Sequence, residues 1–322
     1  MYLSASLLTY NGAAYIKKQL DSILNQTKKI DEIIICDDGS TDDTIQIIKA
    51  YQNQYPGILH LYQNDVQLGS TKNMEKCLGL TNGDLVFLAD QDDIWLPNKV
   101  ATLCAFFETH PKVEAVFSNA TLINETDNLI PDMNLWDIIG FPQASLPKDL
   151  DYFDYLCRVD NMVTGAGLVI KNVQQLLKFP FPNVQGLLHD GWIALYYSSK
   201  GKLSYCTEKL FQYRIHHAQQ MGGNTSDPSG LLKMNIDLFE SAINTSSFSK
   251  TKAYWNRMEQ NLRVQNALSS NYQKMGINKL AIQNKLHVQL NDYYKKGRIA
   301  YPIKTILRKI KKSIRFLIAI QR

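Results

Sequence analysis

The chain has 322 residues, 45% of them apolar, enough for one large or two smaller globular domains. Its five cysteines are odd in number, scattered and without CxxC spacing, which speaks against a disulfide frame or a zinc site and fits reduced core thiols. The net charge of +5 is uneven: residues 295–322 hold ten Lys and Arg and no acid, so the preceding chain stands at −5.

Residues 2–9 are small and apolar and predict a first strand, closed by a turn at Tyr10-Asn11-Gly12. Ala14, Ile16, Leu20, Ile23 and Leu24 recur at helical spacing and predict a helix over 13–26. Four isoleucines between Ile30 and Cys36 predict a second strand, which ends in Asp37-Asp38-Gly39-Ser40, turn chemistry with a ready helix N-cap. A helix over 42–54, a strand over 58–63 and a helix from Gly69 to Leu80 follow. Leu85-Val86-Phe87-Leu88-Ala89 then reads as a buried strand that stops abruptly in Asp90-Gln91-Asp92-Asp93, three carboxylates within four positions. After one more strand at 113–118 the alternation is complete enough to imply an α/β fold with a mostly parallel sheet and helices on both faces.

Residues 124–150 contain three prolines and many polar residues and predict a long loop over one face. Val163–Ile170 reads as a strand entered through Gly165 and Gly167, His189-Asp190-Gly191-Trp192 opens a helix to about Ser199, and Leu203–Cys206 is a short strand. Gln212–His217 falls in or beside a loop. The Gly-, Ser- and Asn-rich stretch 222–230 reads as a linker, dividing a domain over 1–222 from a helical region over 231–322 with helices at about 231–243, 250–275 and 277–295. In the last segment Ile303, Ile306, Leu307, Ile310, Ile314, Leu317 and Ile318 alternate with Lys304, Arg308, Lys309, Lys311, Lys312 and Arg315. That is a basic amphipathic helix; residues 302–320 are expected to lie on an anionic membrane surface, or else to pack on the domain with a solvated cationic face. The basic residues are not interleaved with stacking aromatics, so nucleic acid is not the expected partner. No apolar run approaches ~18 residues. Met1-Tyr2-Leu3-Ser4-Ala5-Ser6 lacks the basic start of a signal peptide, and the expected location is cytoplasmic, peripheral on the inner face of the cell membrane.

In a parallel sheet all strand carboxyl ends share one edge, so Thr9-Tyr10-Asn11, Asp37-Asp38 and Asp90-Gln91-Asp92-Asp93 should converge in space, where open α/β folds bind ligands. Clustered carboxylates repel one another and are costly to desolvate. A hard divalent cation, Mg2+ or Mn2+, relieves both penalties. A dinucleotide-binding dehydrogenase would need GxGxxG after the first strand, and a nucleotidyltransferase a basic glycine-rich loop there; neither is present.

Leu8-Thr9-Tyr10-Asn11-Gly12, Ile35-Cys36-Asp37-Asp38-Gly39-Ser40-Thr41-Asp42 and Asp90-Gln91-Asp92-Asp93-Ile94-Trp95 resemble, in order and spacing, the motifs of glycosyltransferase family 2 with its GT-A fold. His189-Asp190 and Tyr213-Arg214-Ile215-His216 are similar to its later motifs, and the likeness covers about residues 1–220. The Asp-Gln-Asp-Asp-x-Trp form with His-Asp-x-Trp later looks most like the bacterial rhamnosyltransferase branch, which builds cell-surface polysaccharides from dTDP-L-rhamnose. The resemblance implies an inverting transferase that moves a sugar, rhamnose or a hexose from a UDP donor, to a glycan or lipid-linked acceptor.

It implies roles residue by residue. Thr9, Tyr10 and Asn11 line the nucleotide pocket; Asp38, or less clearly Asp37, bonds the base; Gly69, Lys72 and Asn73 lie near the nucleotide, with a solvated helix face the alternative for Lys72. Asp90, Gln91 and Asp92 position the sugar diphosphate, Asp90 and Asp92 through the metal, with Asp93 either taking part or capping the next helix. Trp95 either walls the sugar pocket or sits in the core. His216 completes the metal shell, though His217 beside it leaves the choice open. Arg214 pairs with phosphate oxygens or, alternatively, with a nearby acid. Asp190 is the base, or alternatively the N-cap of its helix. Gly165, Ala166 and Trp192 lie on the acceptor side. A non-catalytic scaffold that holds a partner transferase at the membrane is the alternative of a different class.

Overall fold

The structure is a computed structural model that describes residues 1–146, 150–217 and 252–278, with a few isolated positions beyond. The first hundred residues alternate as expected: β1 (Leu3–Thr9), α1 (Ile16–Leu24), β2 (Glu32–Asp37), α2 (Thr44–Gln54), β3 (Leu59–Gln63), α3 (Gly69–Gly79) and β4 (Leu85–Asp90). These strands run side by side in the order β3-β2-β1-β4, all parallel. Every residue of β2 is buried, because helices cover both faces; that is why these strands read as continuous apolar runs rather than as alternation. α1 begins three residues later than its periodicity, since Tyr15 and Ile16 both donate to Gly12 O and hold residues 12–15 in a turn. Its buried face is Ile16, Leu20 and Ile23.

Register fixes the functional edge. Thr9 stands opposite Asp37, and Leu8 opposite Asp90, so the polar ends of β1, β2 and β4 finish together. At the ordinary strand spacing the ends of β2 and β4 lie about 10 Å apart across β1.

The second half is a mixed sheet that continues the first through β8 (Leu168–Ile170), antiparallel to β4 and to β6 (Ala115–Ile123). Here three expectations are corrected. Residues 124–150 are not one long loop: β7 (Leu129–Asn134) forms a hairpin with β6, and α5 (Leu135–Ile138) follows. Pro131 disguises this strand, which is an exposed edge where proline is tolerated. The strand expected over 163–170 is only β8, because Gly165–Gly167 form a 3-10 turn. The short strand at 203–206 is in fact β9 (Leu203–Arg214), twelve residues long and parallel to β6. Exposed Thr207, Glu208 and Lys209 lie where its register slips against Ser118–Ala120, and this irregularity breaks the sequence pattern. β9 also receives β5 (Ile94–Trp95), so the segment after the acids is itself part of the sheet.

α4 (Lys99–Thr109), α6 (Tyr152–Arg158), α7 (Val173–Leu176) and α8 (His189–Ser198) complete this half. The helix expected over 250–275 is two, α9 (Lys252–Ala267) and α10 (Ser269–Lys274). The linker at 222–230, the helix at 231–243 and the basic segment 302–320 lie outside the described residues, as does nearly all of the helix at 277–295. Among the described residues no helix is long and apolar enough to cross a membrane.

Candidate active site

The loops that follow β1 and β2 are stitched to one another. Asp37 is fully buried and accepts from Thr9 Oγ1 (2.7 Å), Ser40 Oγ (2.5 Å) and the Gly39 and Ser40 amides. It therefore locks its own turn rather than capping the helix beyond it. Asp38 accepts from Asn64 Nδ2 and the Leu68 and Gly69 amides, so it pins the loop that leads into α3. Its carboxylate keeps spare acceptor capacity, because three donors do not fill the lone pairs of two oxygens. Asn11, at φ 48°, accepts from Thr41 N. The Gln91 side chain both accepts from Tyr10 N (2.8 Å) and donates to Tyr10 O (3.0 Å), tying the acidic loop to the end of β1. Tyr10 itself is exposed. Asn73 is buried and donates to Cys36 O, supporting the end of β2 from below. Lys72 pairs with Glu75 on the partly exposed face of α3.

The acids of the second loop gather as the register requires. Burial pushes the Asp90 carboxyl up to about 6, and the nearby Asp92 charge adds to this. Asp93 is buried; burial and the charges of Asp92 and Asp90 raise it, while one oxygen accepts from Arg214 N. His216 Nε2 lies 2.8 Å from Asp92 Oδ2, and the ring packs on Tyr15 at 5.0 Å. His217 is fully exposed and 3.9 Å from Glu125, so His216 is the histidine the fold brings to the acids. Among the described residues no three His, Cys, Asp or Glu side chains form a finished metal cage. Asp92 and His216 do offer adjacent oxygen and nitrogen donors beside Asp90. That set fits a divalent ion which takes its remaining ligands from substrate oxygens, the usual way Mg2+ is held.

Arg214 is not available to phosphate. It is fully buried, with Nε donating to Asp92 O (2.7 Å), Nη1 to Asn124 O (2.9 Å) and Nη2 paired with Asp127 at 2.6 Å, its Cζ 4.6 Å from the centre of the Tyr15 ring. The β6–β9 register places residue 214 against the 124–127 turn, and that turn consumes the guanidinium fork. Arg214 thus fixes the backbone of Asp92. Trp95 and Trp192 are both core residues; Trp192 is 0% exposed, because α8 is buried from Gly191 through Ser198, so it backs the site and does not face an acceptor.

On the other wall, Asp190 lies in the first turn of α8. Burial raises its carboxyl to about 6, opposed by bonds from the Gly191 and Gly165 amides and from Asn161. Gly191 N is 2.6 Å and Asn161 Nδ2 3.2 Å from Oδ1. His189 is buried and held below its ordinary pKa by that burial, against the pull of Asp90. A Cβ on Gly165 would sit 2.7 Å from His189 Nε2, so a larger residue there would force the imidazole to shift. The charges of Asp92 and Asp190 raise the Asp90 carboxyl, and that of His189 opposes them.

Sequence reasoning missed Lys99. It reads as a surface lysine opening a helix, yet it is 0% exposed. Its Nζ donates to Ala166 O (2.6 Å) and stands over the rings of Trp95 (4.2 Å) and Phe211 (4.4 Å). Burial lowers it to about 7, against the charges of Asp93 and Asp90. It links the acid loop to the turn at Gly165–Gly167. Lys99→Met leaves Ala166 O without its charged donor and is expected to cost about 1.5–3 kcal/mol, measured by urea unfolding.

The parallel half of the sheet ends in acids at its switch point, with a histidine on the middle acid, the edge at which open α/β folds bind ligands. The Glycosyl transferase family 2 model matches residues 4–156, so this stretch of the chain is similar to that family. The chain is similar to an uncharacterized glycosyltransferase of Nostoc sp., 27% identical over 85% of this chain and 84% of the relative. It is also similar to the dTDP-rhamnosyl transferase RfbG of Shigella flexneri, 27% identical over 68% of this chain and 75% of that one. Its GT-A fold is shared with residues 1–349 of S. aureus TarS, with a TM-score of 0.50, 16% identity and 92% of each chain covered.

Proposed function

We propose that the protein is an inverting, divalent-metal-dependent glycosyltransferase. It moves a sugar from a nucleoside diphosphate donor to a hydroxyl of a glycan or lipid-linked acceptor in cell-surface polysaccharide synthesis. The observation that carries this reading is the shared edge at which β1, β2 and β4 end in Thr9, Asp37 and Asp90, with His216 Nε2 2.8 Å from Asp92 Oδ2 just beyond it. The nucleotide lies along the ends of β1 and β2, against Thr9, Tyr10, Asn11 and Asp38, and its diphosphate reaches the acids at the end of β4. Asp92 and His216, beside Asp90, would hold Mn2+ or Mg2+, which would supply positive charge against the diphosphate. Asp190 accepts the proton of the acceptor hydroxyl as its oxygen bonds to the anomeric carbon. The bond from that carbon to the diphosphate breaks, and the nucleoside diphosphate leaves with the electron pair. One direct displacement inverts the anomeric centre and needs a single base.

dTDP-L-rhamnose is the favoured donor, supported by the likeness to RfbG and by the Asp-Gln-Asp-Asp-x-Trp form; a UDP-hexose is the second reading. The basic segment 302–320 would keep the enzyme against an anionic membrane on its cytoplasmic side, where lipid-linked acceptors are found. A thermal-shift panel of dTDP, UDP, GDP and ADP with and without Mn2+ tests the donor class. The expected result is the largest rise for dTDP with Mn2+, about 2.7 kcal/mol of added stability at a hundred times Kd. Equal shifts for all four nucleotides, or none, would remove the donor assignment.

A further inference from the structure

Helix α9 has no task in the scheme above, yet its contacts are directed at the site. Arg257 pairs with Asp160, and Asn261 Nδ2 donates to Val159 O at 2.9 Å. The next residue of that strip, Asn161, donates to Asp190 Oδ1 and to Val163 O. α9 therefore backs the stretch of chain that orients Asp190. On its other flank it meets the loop that leads into α8, where Leu187 packs against Gly191 and Gly186 comes close to Gln260.

Between this loop and α9 lies a cleft of about 430 Å3, lined by Gln185, Gly186, Asn256, Glu259, Gln260 and Arg263. Its volume is that of a small-ligand pocket, and its lining mixes amide and charged groups with slightly more apolar than polar surface. Amide side chains both donate and accept, a carboxylate accepts and a guanidinium donates. That mixture matches vicinal sugar hydroxyls, each of which also does both. Glu259 and Arg263 do not use each other up: they are 3.8 Å apart, and the Arg263 side chain is 76% exposed.

We propose that this cleft is an acceptor subsite, which holds a saccharide unit of the acceptor other than the one whose hydroxyl faces Asp190. The proposal rests on the transferase reading and adds where the acceptor chain runs. It also gives α9 two joined duties: to bind that unit, and to report it to Asp190 through Asp160 and Asn161.

The test is saturation-transfer NMR on the full chain with methyl α-L-rhamnopyranoside, methyl β-D-glucopyranoside and methyl N-acetyl-β-D-glucosaminide, with nucleotide affinity measured on the same wild-type sample. At least one glycoside should receive saturation from the wild type. Gln260→Trp, which fills the cleft, and Arg263→Ala, which removes its fork, should each weaken that binding by about tenfold. Lys112→Ala, on an exposed turn that does not line the cleft, should not change it. Melting curves of both cleft variants show that they fold, and Arg263→Ala, on an exposed helix position, keeps the test valid should the tryptophan not be tolerated. Absence of any glycoside signal, or a signal indifferent to both cleft variants, overturns the subsite. If nucleotides bind while this happens, the transferase reading stands without it. If glycosides bind in the cleft and no nucleotide binds, the subsite stands and the donor chemistry falls.

Discussion

Asp190→Asn is expected to lower sugar transfer by about 10²–10⁴-fold, the range lost with a general base, while the protein still folds and still binds nucleotide. The carboxamide oxygen can accept the same bonds from Gly191 N and Asn161 Nδ2, so the start of α8 keeps its shape. What is lost is the ability to take a proton. Asparagine is as good a helix cap as aspartate. If Asp190 only caps α8, the variant should therefore retain near-normal transfer, measured as nucleoside diphosphate release with acceptor present. A matching pH profile is expected in the wild type. Burial holds the Asp190 carboxyl up to about 6, so kcat/KM should rise with pH to a plateau above about 6.

The same shift has a stability signature of defined sign. Between the ordinary carboxyl pKa of 3.8 and about 6, folded Asp190 holds a proton that the unfolded chain has released. Stability contributed by this group therefore falls as pH rises through that window. Asp190→Asn removes this dependence along with the activity. A site that costs stability in its working protonation state is what a buried, functional carboxylate is expected to show.

Much of this site was legible because its first half is local. Each of β1, β2 and β4 announces itself as an apolar run and ends in polar residues, and parallel order alone then brings Thr9, Asp37 and Asp90 to one edge. The second half depends on contacts between distant segments, which spacing does not encode. Arg214 carries the right chemistry for phosphate, but the pairing of β9 with β6 delivers it to Asn124 and Asp127. His216 and His217 are indistinguishable as letters; one residue of offset along the chain sends the first to Asp92 and the second into solvent. Lys99 escaped because a lysine after Pro97-Asn98 looks like the solvated start of a helix. Only the closed packing of Trp95, Phe211 and Ala166 around it shows a buried cation. The resemblance puts Trp192 on the acceptor side, but α8 is buried from Gly191 through Ser198 and takes Trp192 into the core.

Asp92→Asn is expected to separate the charge of the site from its shape. The backbone at this position is held independently of the side chain, since Asp92 O accepts from the buried Arg214. The amide can keep a contact with His216, so the loop should stay in place. Transfer should fall by about 10²–10³-fold, the scale of losing one electrostatic stabiliser of a developing charge. Thermal stability should move the other way. The Asp92 charge helps to raise both Asp90 and Asp93, second only to burial at each. Removing it relieves repulsion inside a desolvated cluster, so in EDTA the variant should melt above the wild type. Adding Mn2+ should raise the melting temperature of the wild type and leave that of the variant nearly unchanged. This crossing of the two melting curves distinguishes a metal-holding carboxylate from a structural one, whose loss would lower stability in both conditions. A variant that kept both its activity and the full Mn2+-induced rise would take the metal away from Asp92 and His216.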